Sequence, residues 1–171
     1  KVTDSDGASD IDSESVQVVQ VANVAPSVTA PADQSSNEGS SHSFDLGSFT
    51  DPGDDSPWHV TVDWNDGSFN STFDVASPGT IPAQSHTYAD GPSDHVVTVT
   101  VDDGTDHTSK TFSVHVDNVA PSIAISGSTS VDEGSSYSLN LGAVTDPGTD
   151  TVSSYVVHWG DGSSSTYTSN G

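Results

Sequence analysis

Apolar and polar residues alternate with a period of two in short runs along this chain. The clearest runs are Val60–Trp64, Val97–Val101 and Phe112–Val116, and Phe44–Leu46 is a shorter one. Such alternation predicts β-strands with one buried face, whereas no stretch shows the 3.6-residue period of a helix. The pattern therefore predicts an all-β protein.

Turn-forming residues separate these runs at short intervals. The turn signals are Asn37-Glu38-Gly39, Asp51-Pro52-Gly53, Asn65-Asp66-Gly67, Asp90-Gly91-Pro92 and Asp103-Gly104. Because Gly, Pro, Asn and Asp favour turns, about seven strands fit into one unit of about 95 residues. That size and rhythm predict a seven-stranded, Ig-like β-sandwich with Greek-key-type topology. The Cys…Trp…Cys pattern of true Ig domains is absent, since the chain has no cysteine.

The sequence also repeats itself. Residues 23–68 align with 118–163 at a shift of 95 positions, with 23 identities in 46 positions, and residues 2–24 resemble 99–119. The shared motifs are Asn-Val-Ala-Pro-Ser (23–27 and 118–122), Glu-Gly-Ser-Ser (38–41 and 133–136), Thr-Asp-Pro-Gly (50–53 and 145–148) and Trp-x-Asp-Gly-Ser (64–68 and 159–163). Repetition at a fixed period indicates tandem domains.

Three units follow from this period. Residues 1–24, the N-terminal segment, are predicted to be the last strands of a preceding repeat. Residues 25–118 form one complete repeat, the middle repeat, and 119–171 form the first part of another, the C-terminal repeat. Pro26 and Pro121 mark the joints, because proline cannot continue a central strand. We expect the sequence to belong to something longer, with another copy or continuing chain completing residues 119–171 by a segment like 1–24 and about 20 residues resembling 77–97.

The motifs also resemble a known family. Asp51-Pro52-Gly53, Val62–Ser68, His86-Thr87-Tyr88 and Val97–Gly104 occur in the order typical of a PKD (polycystic kidney disease) domain, and Trp159–Gly162 fits the same pattern. The resemblance implies an extracellular β-sandwich spacer, as found in bacterial and archaeal surface proteins and in secreted hydrolases, and hence a module without catalytic activity. The sequence departs from the family at Asn65, where glycine is usual, and in a long insert around 76–83.

The charge balance narrows the choice of partners. The chain has 25 acidic residues against only Lys1 and Lys110, which gives a formal net charge of −23. Binding to nucleic acid or to an anionic membrane surface is excluded, because too few cationic side chains exist to contact phosphates. No apolar run approaches the ~20 residues that span a bilayer. Self-repulsion at this charge favours bound cations.

Acidic and amide side chains are predicted to gather at the two ends of the middle repeat. Strands of a sandwich alternate in direction, so the loop after Phe49 and the hairpin after Val101 should meet at one end, near the incoming linker, and the turn at Glu38 should meet the outgoing linker at the other. The predicted oxygen ligands are Asn23, Asp51, Asp55 and Asp103 at the first end, with Asp54 and Asp102 nearby, and Glu38, Asp117, Asn118, Asp146 and Asp150 at the second. Hard oxygen ligands in a tolerant geometry favour Ca²⁺ of weak, extracellular-type affinity. The alternative is that these acidic turns are simply solvated.

Other candidate chemistry is weaker. Trp64 and Trp159 lie on alternating strands and are predicted to be core residues, whereas Trp58 is expected to be the better exposed aromatic for sugar stacking. The Asp4–Asp10 run is interpreted as an acidic hairpin loop and not as an EF-hand. Asn70 begins a glycosylation sequon. No nucleophile elbow or catalytic acid pair is recognisable, so we expect no enzyme activity.

Two hypotheses for function remain open. In the first, the chain is a non-catalytic piece of a long extracellular or cell-surface array (a filament, adhesin stalk or surface-layer component) whose repeats join end to end and are made rigid by Ca²⁺. In the second, the repeats are accessory domains of a secreted polysaccharide- or protein-degrading enzyme. Further copies of the repeat are the expected partners, and cell-surface glycans are additional candidates.

Overall fold

The computed structural model describes residues 2–10 and 19–168, all of them in strands and loops. The all-β prediction is therefore confirmed. Within this part of the chain, no helix is long and apolar enough to cross a membrane. Residues 11–18, most of the last strand predicted in the N-terminal segment, lie outside the described residues.

The described strands are numbered in chain order. They are β1 (Val2–Thr3), β2 (Ser9–Asp10), β3 (Ser27–Thr29), β4 (Gln34–Asn37), β5 (His42–Phe44), β6 (Ser48–Thr50), β7 (Trp58–Asp63), β8 (Ser71–Val75), β9 (Gly79–Thr80), β10 (Gln84–His86), β11 (Ser93–Asp102), β12 (His107–Asp117), β13 (Ser122–Gly127), β14 (Leu139–Thr145), β15 (Ser154–His158) and β16 (Ser164–Thr168).

The middle repeat is built on one five-stranded sheet, in the order β4-β12-β11-β7-β8. All its pairs are antiparallel except β12 with β4, which is parallel. Smaller sheets of β3-β6-β9 and of β5-β10 supply the other strands of the repeat. The apolar side chains of these sheets form one core, as a β-sandwich requires.

The alternating apolar residues of β11 and β12 are alternately buried and exposed in the structure. In β11, Val97, Val99 and Val101 are buried, and in β12, Phe112, Val114 and Val116 are buried, while the residues between them face outward or are half-buried. Successive side chains of a strand point to opposite faces, so one valine face lies in the core. The core also contains Trp64, which is 1% exposed, as predicted.

The middle repeat has ten strand segments where the sequence pattern predicts seven strands. One reason is visible at Gly47, which separates β5 from β6 and has a φ of +81°. A Cβ at this position would clash with the carbonyl oxygen of Thr29. The chain therefore bends where the pattern suggests a continuous run, and Leu46 is buried just outside the strand. The short strand β9 arises within the long insert and pairs with β6.

The C-terminal repeat differs from the middle one because its described part is not closed. It consists of two separate hairpins, β13 with β14 and β15 with β16. An apolar groove of about 550 Å³ lies between them. Trp159, the counterpart of Trp64, is 40% exposed there. The prediction that Trp159 is a core residue is therefore wrong for residues 119–168, because the strands that cover Trp64 have no counterparts among them.

Candidate metal centres at the two ends of the middle repeat

Three carboxylates meet at the first end of the middle repeat. Asp51 follows β6, Asp55 lies in the same loop, and Asp103 lies in the hairpin between β11 and β12. Each offers an oxygen within 4.8 Å of the other two. The amide nitrogen of Asn23 donates to Asp103 Oδ2 at 2.9 Å, which ties the incoming linker to this group. We call these four residues the Asp103 cluster.

Backbone and side-chain donors hold the Asp103 cluster in place. Asp103 is buried, and its Oδ1 accepts hydrogen bonds from the backbone N–H groups of Thr105 and Asp106 at 2.8 and 2.7 Å. The two oxygens of Asp51 accept from Gly53 N and from the indole Nε1 of Trp58, both at 2.9 Å. Fixed acceptors of this kind are preorganised to face a common ligand.

The pKa values of two carboxyl groups in the Asp103 cluster are shifted in opposite directions. Hydrogen bonds from Asp106 N and the Asn23 amide lower the pKa of Asp103, against the opposing effect of burial. Burial, followed by repulsion from Asp51, Asp103 and Asp54, raises the pKa of Asp55. A carboxylate that is repelled by its neighbours is stabilised by a cation.

A second group of carboxylates meets at the other end of the middle repeat. Glu38 comes from the turn after β4, and Asp146 and Asp150 come from the loop after β14 of the C-terminal repeat. Their oxygens also lie within 4.8 Å of one another. We call these three residues the Glu38 cluster. Asp146 and Asp150 are the 95-residue counterparts of Asp51 and Asp55, so both clusters are built around the same pair of positions.

Glu38 is completely buried and connects three segments. Its Oε2 accepts from Gly91 N at 2.6 Å and its Oε1 from Val119 N at 2.7 Å, while its own N–H donates to the carbonyl of Asp117 at 3.0 Å. The side chain thus fastens the outgoing linker to the turn after Tyr88. Charge-assisted hydrogen bonds of this type are stronger than neutral ones.

Two repeated glycine motifs interlock at this joint. A Cβ at Gly39, which has a φ of +63°, would clash with the carbonyl oxygen of Pro147. A Cβ at Gly148 would lie 2.6 Å from the Glu38 carboxyl. The Glu-Gly turn of one repeat and the Asp-Pro-Gly turn of the next therefore approach as closely as glycine permits.

Asp90 lies beside the Glu38 cluster, although it is not one of the predicted ligands. Its Oδ1 accepts a hydrogen bond from Thr149 N at 3.2 Å. Burial, then repulsion from Asp90, Glu38 and Asp146, raises the pKa of Asp150. The sequence marks this position only as the turn Asp90-Gly91-Pro92. That turn lies beside Glu38-Gly39, because Gly39 N donates a hydrogen bond to the carbonyl oxygen of Tyr88 at 2.8 Å.

The structure does not bring every predicted ligand into a cluster. The carboxylate of Asp117 lies 3.5 Å from His115 Nε2, because both residues are on the outer face of β12; only the Asp117 carbonyl reaches Glu38. Asn118 lies in the linker, where its backbone N is near Gly91. Asp117 is not one of the grouped carboxylates, and the role of the Asn118 amide as a ligand stays a prediction. Asp54 and Asp102 neighbour the Asp103 cluster without forming part of it, and Asp102 instead accepts from Gly104 N at 2.7 Å.

The donor atoms of both clusters are oxygens on short acidic side chains. This donor set fits Ca²⁺, which takes about six to eight oxygen ligands in flexible geometry, better than metals that prefer nitrogen or sulfur. Burial, followed by like-charge crowding, raises the pKa values of Asp55 and Asp150, which occupy equivalent positions, and a divalent cation would relieve the crowding.

Trp58 and the motif His86-Thr87-Tyr88 both contribute to the packing of the middle repeat. Trp58 is buried, with its ring 5.6 Å from that of Phe49, so the expectation that it is an exposed sugar-stacking residue is wrong. His86-Thr87-Tyr88 has a structural role: His86 stacks on Trp64 at 4.4 Å, and the hydroxyl of buried Tyr88 donates to the carbonyl of Trp64 at 3.2 Å.

Two further sequence motifs lie on the surface. The run from Asp4 to Asp10 is a hairpin loop, as predicted, and Asp4 Oδ1 accepts from Asp6 N and Ala8 N as Asp103 Oδ1 does from the backbone of its own loop. Asn70 is exposed in the loop before β8. Its glycosylation remains a prediction.

The pKa shifts predict an unusual pH dependence in metal-free buffer. Asp55 and Asp150 have raised pKa values, so the stability they contribute is present below the usual carboxyl pKa of about 3.9 and is lost as the pH rises through the raised values. Asp103 has a lowered pKa, so its contribution is lost only as the pH falls through that lowered value. We expect the melting temperature of the wild type to fall more as the pH rises above about 4 than that of the Asp55→Asn/Asp150→Asn variant. Identical profiles would contradict this interpretation. Asp132→Asn/Glu133→Gln, which changes two exposed carboxylates outside the clusters, is the charge-matched control.

Comparison with family models gives the class: the model for the PKD domain matches residues 23–116, more than half of the chain. The chain belongs to the PKD domain family. PKD domains are generally non-catalytic, extracellular modules with structural or adhesive roles. Searches of curated proteins and of solved structures gave no match.

Proposed function

We propose that this chain is a non-catalytic structural segment of a tandem-repeat protein at the cell surface (a filament, adhesin stalk or surface-layer component) and that Ca²⁺ makes its inter-domain joints rigid. The observation that carries the proposal is the Glu38 cluster, in which carboxylates of two successive repeats lie within 4.8 Å of one another. Charge crowding between domains favours separation, so a joint built in this way needs a cation to hold it closed.

The two clusters are best understood as two parts of one recurring site. Asp51 and Asp55 meet Asp103 from within their own repeat, while their counterparts Asp146 and Asp150 meet Glu38 from the preceding repeat. In an array of full repeats, each joint would combine both contributions: two aspartates of the Asp-Pro-Gly loop, a third from the hairpin, and one buried glutamate. Four carboxylates and the linker asparagine, with the amide oxygen of Asn23 or Asn118, would supply much of a Ca²⁺ coordination shell.

The array role is supported by the interlocking of repeated motifs. Glu38-Gly39 and Asp146-Pro147-Gly148 are present in both repeats, and in this chain they contact each other across the joint. Repeats whose ends are complementary stack in one direction, which is the geometry of a quasi-linear array.

Calcium should stabilise the protein by mass action. With a dissociation constant of about 10⁻⁴–10⁻³ M, 10 mM Ca²⁺ is expected to contribute about 1.4–2.7 kcal/mol per site and to raise the melting temperature by roughly 5–15 °C over metal-free buffer with EGTA. Mg²⁺ at the same concentration should have a smaller effect, because it demands a tighter octahedral geometry. The measurement is a thermal melt followed by near-UV circular dichroism.

Matched variants make this test specific. Asp55→Asn/Asp150→Asn removes one carboxylate from each cluster and should lose most of the Ca²⁺-dependent shift. Asp132→Asn/Glu133→Gln makes the same charge change at exposed positions outside the clusters and should keep it. The calcium proposal would be overturned if Ca²⁺ did not change the melting temperature of the wild type, or if it shifted the melting temperatures of both variants equally.

A further inference from the structure

The outer face of the five-stranded sheet carries two histidines in one row. Residues that alternate with the buried side chains face outward, and they include His59 of β7, Asp102 of β11 and His107 of β12. The strand register places Asp102 directly opposite His59 on one side and directly opposite His107 on the other. Asp74 of β8 is opposite His59 on its far side. These four residues, which we call the His59 row, therefore cross four neighbouring strands.

The spacing of the His59 row allows two imidazoles and a carboxylate to reach one ion. Neighbouring strands lie about 4.8 Å apart, so a cation above Asp102 is displaced by about that distance from each flanking strand. Directly opposed residues of an antiparallel pair have Cβ atoms about 4.5–5.5 Å apart. An imidazole is long enough to cover most of this distance, and a Zn–N bond of about 2.0–2.1 Å covers the rest. His59 and His107 can therefore approach one ion from opposite sides of Asp102.

Hydrogen bonds already orient two of these three ligands. His59 Nδ1 lies 2.9 Å from Asp74 Oδ1. Because a carboxylate only accepts, the ring proton is on Nδ1, and the lone pair of Nε2 is left for a metal. Metal-binding histidines almost always donate their other ring N–H in this way, often to a carboxylate. Asp102 Oδ1 accepts from Gly104 N at 2.7 Å, which holds that side chain and leaves its second oxygen for a ligand role.

Closure of the His59 row on an ion requires side-chain rotation. Among the described residues, the ligand atoms that are grouped within 4.8 Å belong to the Asp103 and Glu38 clusters. The side chains of His59 and Asp74 are 54% and 64% exposed, and His107 is exposed as well. Exposed side chains change rotamer without disturbing the core, so rotation does not oppose binding.

We propose that His59, Asp102 and His107 bind one Zn²⁺ ion on the outer face of the middle repeat, with Asp74 as the carboxylate that orients His59. Two imidazole nitrogens and one carboxylate oxygen form a donor set that suits Zn²⁺, and water completes the coordination on the solvent side. Ca²⁺ takes oxygen ligands and therefore favours the two acidic clusters instead. The sheet face and the joints thus select different cations.

This site is independent of the proposed function. At the 95-residue shift, His59 corresponds to Ser154 and His107 to Asp12, so the histidine pair does not recur as the joint motifs do. The row also lies on a sheet face, whereas the acidic clusters lie at the ends of the repeat. Zn²⁺ binding is therefore a property of the middle repeat alone.

The test is calorimetric titration of the full 171-residue chain with Zn²⁺ in a large excess of Ca²⁺, which competes for the acidic clusters. We expect one Zn²⁺ to bind per chain under these conditions. Asp74→Asn should weaken binding about tenfold, within the range of about 10–100-fold that is typical when the partner of a metal-binding histidine is lost. His59→Ala/His107→Ala removes two ligands and should weaken binding more than a hundredfold.

His115→Ala is the matched control. His115 lies on the same outer face, its side chain is 52% exposed, and its Nδ1 is 2.7 Å from Asp94 Oδ1. Its directly opposed neighbours are Asp94 and Ser35, so its row offers one histidine where the His59 row offers two. Zn²⁺ affinity should be unchanged in this variant.

Nuclear magnetic resonance of the imidazole nitrogens identifies the ligands in the wild type. Zn²⁺ should shift the Nε2 resonance of His59 and a ring nitrogen of His107, and should leave the ring of His115 unchanged. The proposal would be overturned if Zn²⁺ did not bind in excess Ca²⁺, if binding survived in His59→Ala/His107→Ala, or if His115 shifted as strongly as His59. The same double variant keeps both acidic clusters and should retain the Ca²⁺-dependent melting shift, so the failure of one proposal is distinguishable from the failure of the other.

Discussion

Replacing Glu38 by alanine is expected to lower the free energy of unfolding of the middle repeat by about 3–5 kcal/mol. The side chain is buried and accepts hydrogen bonds from Gly91 N and Val119 N at 2.6 and 2.7 Å. Hydrogen bonds to a charged group contribute about 1.5–3 kcal/mol each, and truncation also leaves two backbone donors without this partner. Urea denaturation in Ca²⁺-free buffer measures the effect.

The chain contains its own control for this prediction. Glu133 is the repeat counterpart of Glu38 but is exposed, so Glu133→Ala should change the free energy of unfolding by no more than about 0.5 kcal/mol. Glu38→Gln keeps an acceptor but loses the charge and should fall between the two alanine variants. Equal effects of Glu38→Ala and Glu133→Ala would show that the glutamate does not fasten the joint.

Replacing Trp64 by alanine is expected to cost about 3–5 kcal/mol, as is typical of large core aromatics. Trp64 is in contact with several parts of the core: its ring lies 5.4 Å from Phe44 and is stacked on His86, and its Nε1 donates to Ser71 Oγ at 3.0 Å. Its removal leaves a cavity that the rigid strands around it cannot fill.

Trp159→Ala is the matched comparison. Trp159 occupies the same repeat position and makes the same type of hydrogen bond, from Nε1 to Ser165 Oγ at 2.9 Å, but it faces the open groove. At low protein concentration its replacement should cost under about 1 kcal/mol. A cost equal to that of Trp64→Ala would mean that the C-terminal repeat is closed in solution.

Much of this architecture follows from local patterns in the sequence. The alternating valines of β11 and β12 predict their buried face, because a period of two can place only one set of side chains in the core. The grouping of Asp51, Asp55 and Asp103 follows from the alternating direction of strands, which returns their loops to the same end. The 95-residue period then places Asp146 and Asp150 at the next joint.

Other features depend on tertiary contacts that sequence patterns do not report. Trp58 is next to a loop, yet it is buried because its indole N–H has an acceptor in Asp51. Asp90 reaches the Glu38 cluster only because its turn packs against Gly39. The side chain of Asp117 faces away from that cluster because β12 continues to this residue, and strand alternation then places it beside His115. Trp159 is exposed because burial depends on strands distant in sequence.

The most direct test of the central claim is small-angle X-ray scattering of the chain with Ca²⁺ and with EGTA. Scattering curves are extrapolated to low protein concentration, so that the response reports the joint between the middle and C-terminal repeats. We predict that Ca²⁺ narrows the distribution of interdomain distances and reduces the flexibility signal at wide angles, and that Asp146→Asn/Asp150→Asn abolishes this response. Scattering curves that are the same with and without Ca²⁺ would contradict the proposal that cations hold the joint rigid.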